Sequence, residues 1–174
     1  MSLPYYINRV GSDTAYAANE ADGLPTGHDE GRSLDMLECL ILGDSLAQGA
    51  AAALANALNA RCDVVATQGA GSAAILRSVP SRSYEAATIS AGSNDANNPR
   101  LADNLIAIRK SVSANRIVWI APYNRSVAYL VADLARHFGD SLVDVAETPP
   151  VRDGLHPRSY RRLADLLSEG GFAG

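Results

Sequence analysis

Residues 36–60 read MLECLILGDSLAQGAAAALANALNA, and the reading of this stretch decides the fold. Met36–Leu42 is a short apolar run. Gly43-Asp44-Ser45 breaks it, and an Ala/Leu-rich segment follows from Leu46 to Ala60. A short apolar run bounded by a glycine turn predicts a buried strand. The Ala/Leu segment predicts a helix, because those side chains lose little freedom in one.

Working outward, the same alternation repeats. Asp63–Thr67 (DVVAT) predicts a second strand, ending at Gly69-Ala70-Gly71, with a short helix over 72–77. Glu85–Ser90 (EAATIS) predicts a third, ending at Gly92-Ser93-Asn94-Asp95. Pro99 suits the first turn of a helix running to about Ala114, with Leu101, Leu105, Ile108 and Val112 spaced by three and four. Arg116–Ala121 (RIVWIA) predicts a fourth strand, stopped by Pro122. A helix over 124–138 follows, closed by Gly139. Ser141–Val145 predicts a fifth strand, and Pro157 opens a last helix to about Leu167. Strands alternating with helices imply a parallel sheet with helices on both faces. Five such units predict a flavodoxin-like, doubly wound α/β layout, in which ligands bind beyond the carboxyl ends of the strands.

Residues 1–33 differ. They hold Gly, Asp, Glu, Thr and Asn with few aliphatics and no period, and read as an extended or poorly ordered arm. Tyr5, Tyr6 and Ile7 are its candidate anchors, either to the domain or to a second copy in a homo-oligomer. Residues 34–174 then form a single domain, large enough to bury about 70% of its unfolded surface without staples. The net charge of −4 argues against a general grip on nucleic acid, which wants a basic face. Arg152, Arg158, Arg161 and Arg162 read as a solvated helix face rather than a phosphate site. No apolar run reaches the ~20 residues of a membrane span. The first residues carry no apolar segment of signal-peptide type, which makes the cytoplasm the default compartment. Cys39 and Cys62 lie in or beside apolar runs and read as small buried side chains, with a disulfide between them left open. No Cys/His cluster suggests zinc, and no cofactor is expected.

Four turns carry the polar residues worth weighing. Ser45 sits where a strand gives way to a helix, near free backbone N–H groups that suit an alkoxide or oxyanion. The plainer alternative is that Asp44 or Ser45 is an N-cap. Asp153-Gly154-Leu155-His156-Pro157 sets an acid and an imidazole three residues apart before a helix. A hydroxyl nucleophile needs a base, and the base needs an acceptor to fix its tautomer. An Asp-Gly turn explains Asp153 and Gly154 but does not require His156. Asn94 can donate an amide to an oxyanion, or merely line a polar loop. Gly69 and Gly71 allow close approach of backbone donors, or merely make a turn.

The set Gly-Asp-Ser-Leu early, glycine on the second turn, Gly-x-Asn-Asp on the third and Asp-x-x-His near the C-terminus resembles the SGNH/GDSL hydrolase superfamily. The resemblance covers about residues 36–167. It implies a three-layer α/β/α fold and an esterase acting without metal or organic cofactor. By the resemblance Ser45 is the nucleophile and His156 its base, held by Asp153. Backbone N–H groups of Ser45 and Gly71 with the Asn94 amide then form the oxyanion hole, and Gly69 is the second choice for the glycine. Tyr123, Asn124 and Arg152 follow strands at the same predicted edge and are candidates for a substrate pocket.

Within the family the expected substrate is a small-acyl ester, such as acetyl on a carbohydrate or cell-wall polymer. The motivation is the low aromatic content, 6%, and the absence of a long insertion to form a lid. Lipid esterases, thioesterases and lysophospholipases of the same fold stay open. So does a non-catalytic module using the scaffold for binding or assembly, though such a scaffold has no need of the Ser/Asn/Asp/His set. The α/β-hydrolase elbow G-x-S-x-G fails at Ala47. A dinucleotide fingerprint over Gly69-Ala70-Gly71 lacks the acid at the end of the next strand. His28, in the polar arm, reads as solvated, and His137 sits in the last turn of a helix, where a cation suits the dipole; neither has a partner motif.

Overall fold

The computed structural model describes residues 38–58 and 62–172. The elements are β1 (Cys39–Gly43), α1 (Ser45–Leu58), β2 (Cys62–Ala66), α2 (Ser72–Ser78), β3 (Ser83–Ser90), α3 (Leu101–Ser111), β4 (Ser113–Ala121), α4 (Arg125–Phe138), β5 (Ser141–Asp144) and α5 (Tyr160–Leu167). Among the described residues the strands form one parallel sheet in the order β2-β1-β3-β4-β5. The arm over residues 1–33, with His28, lies outside the described residues.

The apolar runs lack polar alternation because both faces of the sheet are covered. Alternate residues of β1 go to opposite sides. Cys39 and Ile41 join Val118, Ile120 and Val143 under α1 and α5. Leu40 and Leu42 join Ile89 and Trp119 under α2, α3 and α4. In α3, Leu101, Leu105 and Ile108 are buried at the predicted spacing. Gly139 closes α4 in the left-handed conformation, at φ 73°, where its N–H satisfies the last carbonyls. The order 2-1-3-4-5 reverses direction between β1 and β3, so their carboxyl ends flank the crevice where such sheets bind ligands.

Several boundaries need correction. Pro157 does not begin the last helix. It pairs with Pro150 in an isolated antiparallel bridge, and α5 starts three residues later at Tyr160. Pro99 likewise precedes its helix. Asn98 takes the Arg100 N–H on its side chain and the Leu101 N–H on its carbonyl, so α3 begins at Leu101. Nor does α3 reach Ala114, because Val112 is already extended on the way into β4. Cys39 and Cys62 are not free buried thiols but a disulfide, joining residues that face one another in register on β1 and β2.

Candidate active site

β1 ends at Gly43, which passes so close to β3 that an added Cβ would lie 2.0 Å from the Ser90 carbonyl oxygen. Its φ of 147° also disfavours any side chain. The chain can therefore turn directly from the sheet into α1. Asp44, fully buried, caps that helix: its Oδ1 accepts the Leu46 N–H at 3.0 Å and the Ser90 hydroxyl at 2.8 Å. Burial raises its pKa, opposed by the Ser90 hydroxyl and by backbone N–H groups of α1. The two readings of this turn are thus divided between neighbours. Asp44 is the N-cap, and the Ser45 side chain is left free for a partner elsewhere.

That partner is His156, whose Nε2 lies 2.8 Å from Ser45 Oγ across 111 residues of sequence. On the other side of the ring, Nδ1 lies 2.7 Å from Asp153 Oδ2. A carboxylate only accepts, so Nδ1 carries the proton and Nε2 offers its lone pair to the serine hydroxyl. Asp153 is held in turn by its own turn, because its Oδ1 accepts the N–H groups of Leu155 and His156 at 2.8 and 3.0 Å. The His156 hydrogen bond, with those two N–H groups, holds the Asp153 carboxyl down at about 2. Both residues ride on a hairpin-like loop. Val151 N–H donates to the His156 carbonyl, Arg158 N–H to that of Pro149, and Gly154 turns the tip at φ 66°.

Asn94 and Gly71 also come together, in a way the sequence could not disclose. Asn94 is exposed, and its Nδ2 donates to the Ala70 carbonyl at 3.1 Å. That carbonyl and the Gly71 N–H belong to one peptide unit, and a trans peptide turns them in opposite directions. The Asn94 amide and the Gly71 N–H are therefore close but not aimed at one point. The two glycines serve different ends. Gly69 has φ 75° and open space around it, so its glycine is needed for the turn. Gly71 has ordinary φ, −83°, but an added Cβ would lie 3.3 Å from the Asp95 carboxyl, a tight contact that a side chain at 71 would relieve only by moving the carboxyl a few tenths of an ångström.

Of the candidate pocket residues, Tyr123 has its hydroxyl engaged by Thr148, through the carbonyl and the side chain, both at 2.9 Å. Asn124 caps α4, accepting the Val127 N–H. Arg152 is exposed on the same loop as Asp153. The four arginines considered for a basic patch are all exposed. A pocket of about 300 Å³ opens beside the second turn, between Gly43 and residues 67–70. A larger apolar groove, about 440 Å³ between α3 and α4, touches none of Ser45, Asp153 and His156.

Two residues were given no role in the sequence. Besides Asp95, Tyr160 opens α5 and reaches the Ser45 carbonyl with its hydroxyl at 3.4 Å. Burial, then the nearby charges of Asp44 and Asp153, push this phenol up to about 12, so it remains a donor at any working pH. Its ring lies over Gly49 of α1. A glycine in the middle of an alanine-rich helix was the available signal.

No family model matches the chain, and no curated protein matches it in sequence. Solved structures do match in shape. One is a lipolytic protein of the G-D-S-L family from Veillonella parvula, with 14% identity over 76% of this chain and 96% of that one, at a TM-score of 0.59. A carbohydrate acetylesterase family member from Sinorhizobium meliloti has 17% identity over 77% and 98%, at 0.58. The catalytic domain of peptidoglycan O-acetyltransferase A from Streptococcus pneumoniae, bearing a methylsulfonyl adduct, has 18% identity over 76% and 90%, at 0.57. At these identities the likeness speaks for architecture, and the five-stranded parallel sheet agrees with it. The chain has the three-layer α/β/α fold of the SGNH/GDSL hydrolases.

Proposed function

We propose that the protein is a serine esterase, with Ser45 as nucleophile, His156 as general base and Asp153 as the group that orients the base. One observation carries this: the continuous chain from Ser45 Oγ through His156 to Asp153, at 2.8 and 2.7 Å, with helix capping taken over by Asp44. A serine needed only as a cap would not be paired with an imidazole. In the proposed reaction His156 takes the Ser45 proton as Oγ attacks the ester carbonyl. The oxyanion is received by the N–H groups of Ser45 and Gly71, and Asn94 joins them by turning away from Ala70. His156 then returns the proton to the leaving alcohol, and water releases the acyl group by the same route in reverse. Each oxyanion donor contributes about 2.7–4 kcal/mol to lowering the barrier.

The substrate class we propose is a small-acyl ester on a carbohydrate or cell-wall polymer. Two architectural neighbours bear names of that kind, a carbohydrate acetylesterase and a peptidoglycan O-acetyltransferase. The side chains of His156 and Asp153 are 30% and 45% exposed, which suits a substrate too bulky to enter a closed cavity. A dinucleotide reading fares worse. The first N–H of α2 already donates to Asp95, where a pyrophosphate would need it.

Hydrolysis of p-nitrophenyl acetate by the wild type and by Ser45→Ala, both verified as folded, tests the reaction, and a fluorophosphonate probe reports the nucleophile directly. Activity and labelling in the wild type, both lost in the variant, is the expected result. Equal activity in the two removes Ser45 from the mechanism. Faster turnover of octanoyl than of acetyl esters would overturn the small-acyl assignment.

A further inference from the structure

We propose that Asp95 is a positioning residue that, with Ser72 and Asn104, fixes the peptide presenting the Gly71 N–H to the reacting oxygen. The inference rests on the esterase reading above and adds residues that reading does not use.

Gly71 is flanked by two ties. On one side Asn94 holds the Ala70 carbonyl at 3.1 Å. On the other Asp95 Oδ2 accepts the Ser72 backbone N–H at 2.9 Å and the Ser72 hydroxyl at 2.6 Å. The first tie is lost once Asn94 turns to the oxyanion, because the Ala70 carbonyl and Gly71 N–H point opposite ways. The Asp95 tie involves no group that meets the substrate, so it stays in place through the reaction.

The tie is itself braced. Asp95 Oδ2 also accepts from Asn98 Nδ2 at 3.0 Å. A carboxylate offers no proton, so the Ser72 hydroxyl donates to it and accepts in turn from Asn104 Nδ2 at 2.8 Å. Ser72 is fully buried and Asn104 nearly so. The resulting chain, Asn104 to Ser72 to Asp95, locks three pieces together: the start of α2, the turn after β3 and the buried face of α3. With its Ser72–Asn104 end buried, such a network is stiffer than its single bonds suggest. Asp95 Oδ1 is buried with no donor among the described residues. That is an unfavourable arrangement for a group whose task is only to close a turn. The chain also keeps glycine at 71 where the backbone passes this carboxyl, although its φ demands none.

The experiment compares wild type, Asp95→Ala and Ser72→Ala, each checked for folding by circular dichroism and thermal melting. The readouts are kcat and KM on p-nitrophenyl acetate and the inhibition constant of phenylboronic acid, which forms a tetrahedral anionic adduct on an active serine. A donor misplaced by about 1 Å can cost about 10²-fold in rate. We expect Asp95→Ala to lose kcat on that order with KM nearly unchanged, and to lose boronate affinity by the same factor. Ser72→Ala keeps the backbone tie and should fall between the two. If Asp95→Ala does not fold, Ser72→Ala decides alone, by a parallel loss of kcat and boronate affinity. A variant that melts earlier yet keeps wild-type kcat and boronate affinity in its folded state overturns the proposal, as does one with KM raised and kcat intact. If the wild type neither hydrolyses the ester nor binds the boronate, the esterase reading itself has failed, and this inference with it. An active wild type with unaffected variants removes the positioning role alone.

Discussion

Replacing Gly49 with alanine should reverse its effect on stability according to what occupies position 160. Gly49 lies inside α1, where exchange for alanine ordinarily stabilises by about 0.5–1 kcal/mol. Here the added Cβ would lie 2.2 Å from two ring atoms of Tyr160 and 2.7 Å from a third. Carbon atoms rest about 3.5–4.0 Å apart, so the ring must move by more than 1 Å. Forced overpacking costs about 1–3 kcal/mol. Set against the helix gain, Gly49→Ala alone should destabilise by about 1–2 kcal/mol, or roughly 2–8 °C in Tm for a domain of this size. In a Tyr160→Ala background the clash is gone, and the same substitution should stabilise by up to about 1 kcal/mol. The double-mutant cycle, run by urea unfolding, should therefore return a coupling of roughly 2–3 kcal/mol, within the range for residues in contact. Because Tyr160 also bonds the Ser45 carbonyl, Gly49→Ala should lower the proposed esterase activity beyond its effect on stability. If Gly49→Ala stabilises equally in both backgrounds, Tyr160 does not cover Gly49 in solution, and the account of how α5 docks on α1 is wrong.

Two further outcomes follow from the same geometry. The folded-state pKa of Asp153, about 2, lies below the ordinary carboxylate value, so its contribution to stability is present above about pH 4. It is lost as the pH falls through about 2. The difference in urea midpoint between wild type and Asp153→Asn should accordingly narrow from pH 5 to 2.5, and a constant difference would contradict the His156–Asp153 pairing. The disulfide spans a sequence separation of 23. Loop-closure entropy for a ring of that size gives about 3 kcal/mol of stabilisation, so a reductant should lower the thermal midpoint markedly. An unchanged midpoint, with thiol alkylation showing that the bond is reduced, would refute this.

The fold was largely legible because its signals are local and repeated. Apolar runs such as CLIL and VWI, each followed by a turn and a helical stretch, carry their meaning without knowledge of neighbours. The Ser45, Asp153 and His156 grouping was legible for a different reason: chemistry restricts which residue types can serve together, and the sheet topology gathers the turns at one edge. The unread features depend on partners far away in sequence. Nothing near Pro157 reveals Pro150, so a bridged proline looks the same as one opening a helix. Cys39 and Cys62 pair only because β1 and β2 align them in register, which neither strand specifies alone. Asp44 and Ser45 were rival N-caps that the sequence alone did not separate, and Asp95 hid beside Asn94. Whether an Asp side chain turns toward a helix end, a buried serine or solvent is settled by tertiary packing.

The loop that carries Asp153 and His156 divides the site into two mechanical parts. Ser45 belongs to the sheet frame through Gly43 and the Asp44 cap. Asp153 and His156 belong to a small hairpin tied to itself by the Pro150–Pro157 bridge and to Ser45 by the 2.8 Å Ser45–His156 contact. Segments with few buried apolar contacts open at lower free energy than the core. On warming, the hairpin can therefore lift away as a unit, with its internal acid–base pair intact, while the sheet remains folded. The site would come apart at the joint between its halves, and closing that joint again needs no strand to form, so on the proposed mechanism activity lost in this way should return on cooling, well short of global unfolding.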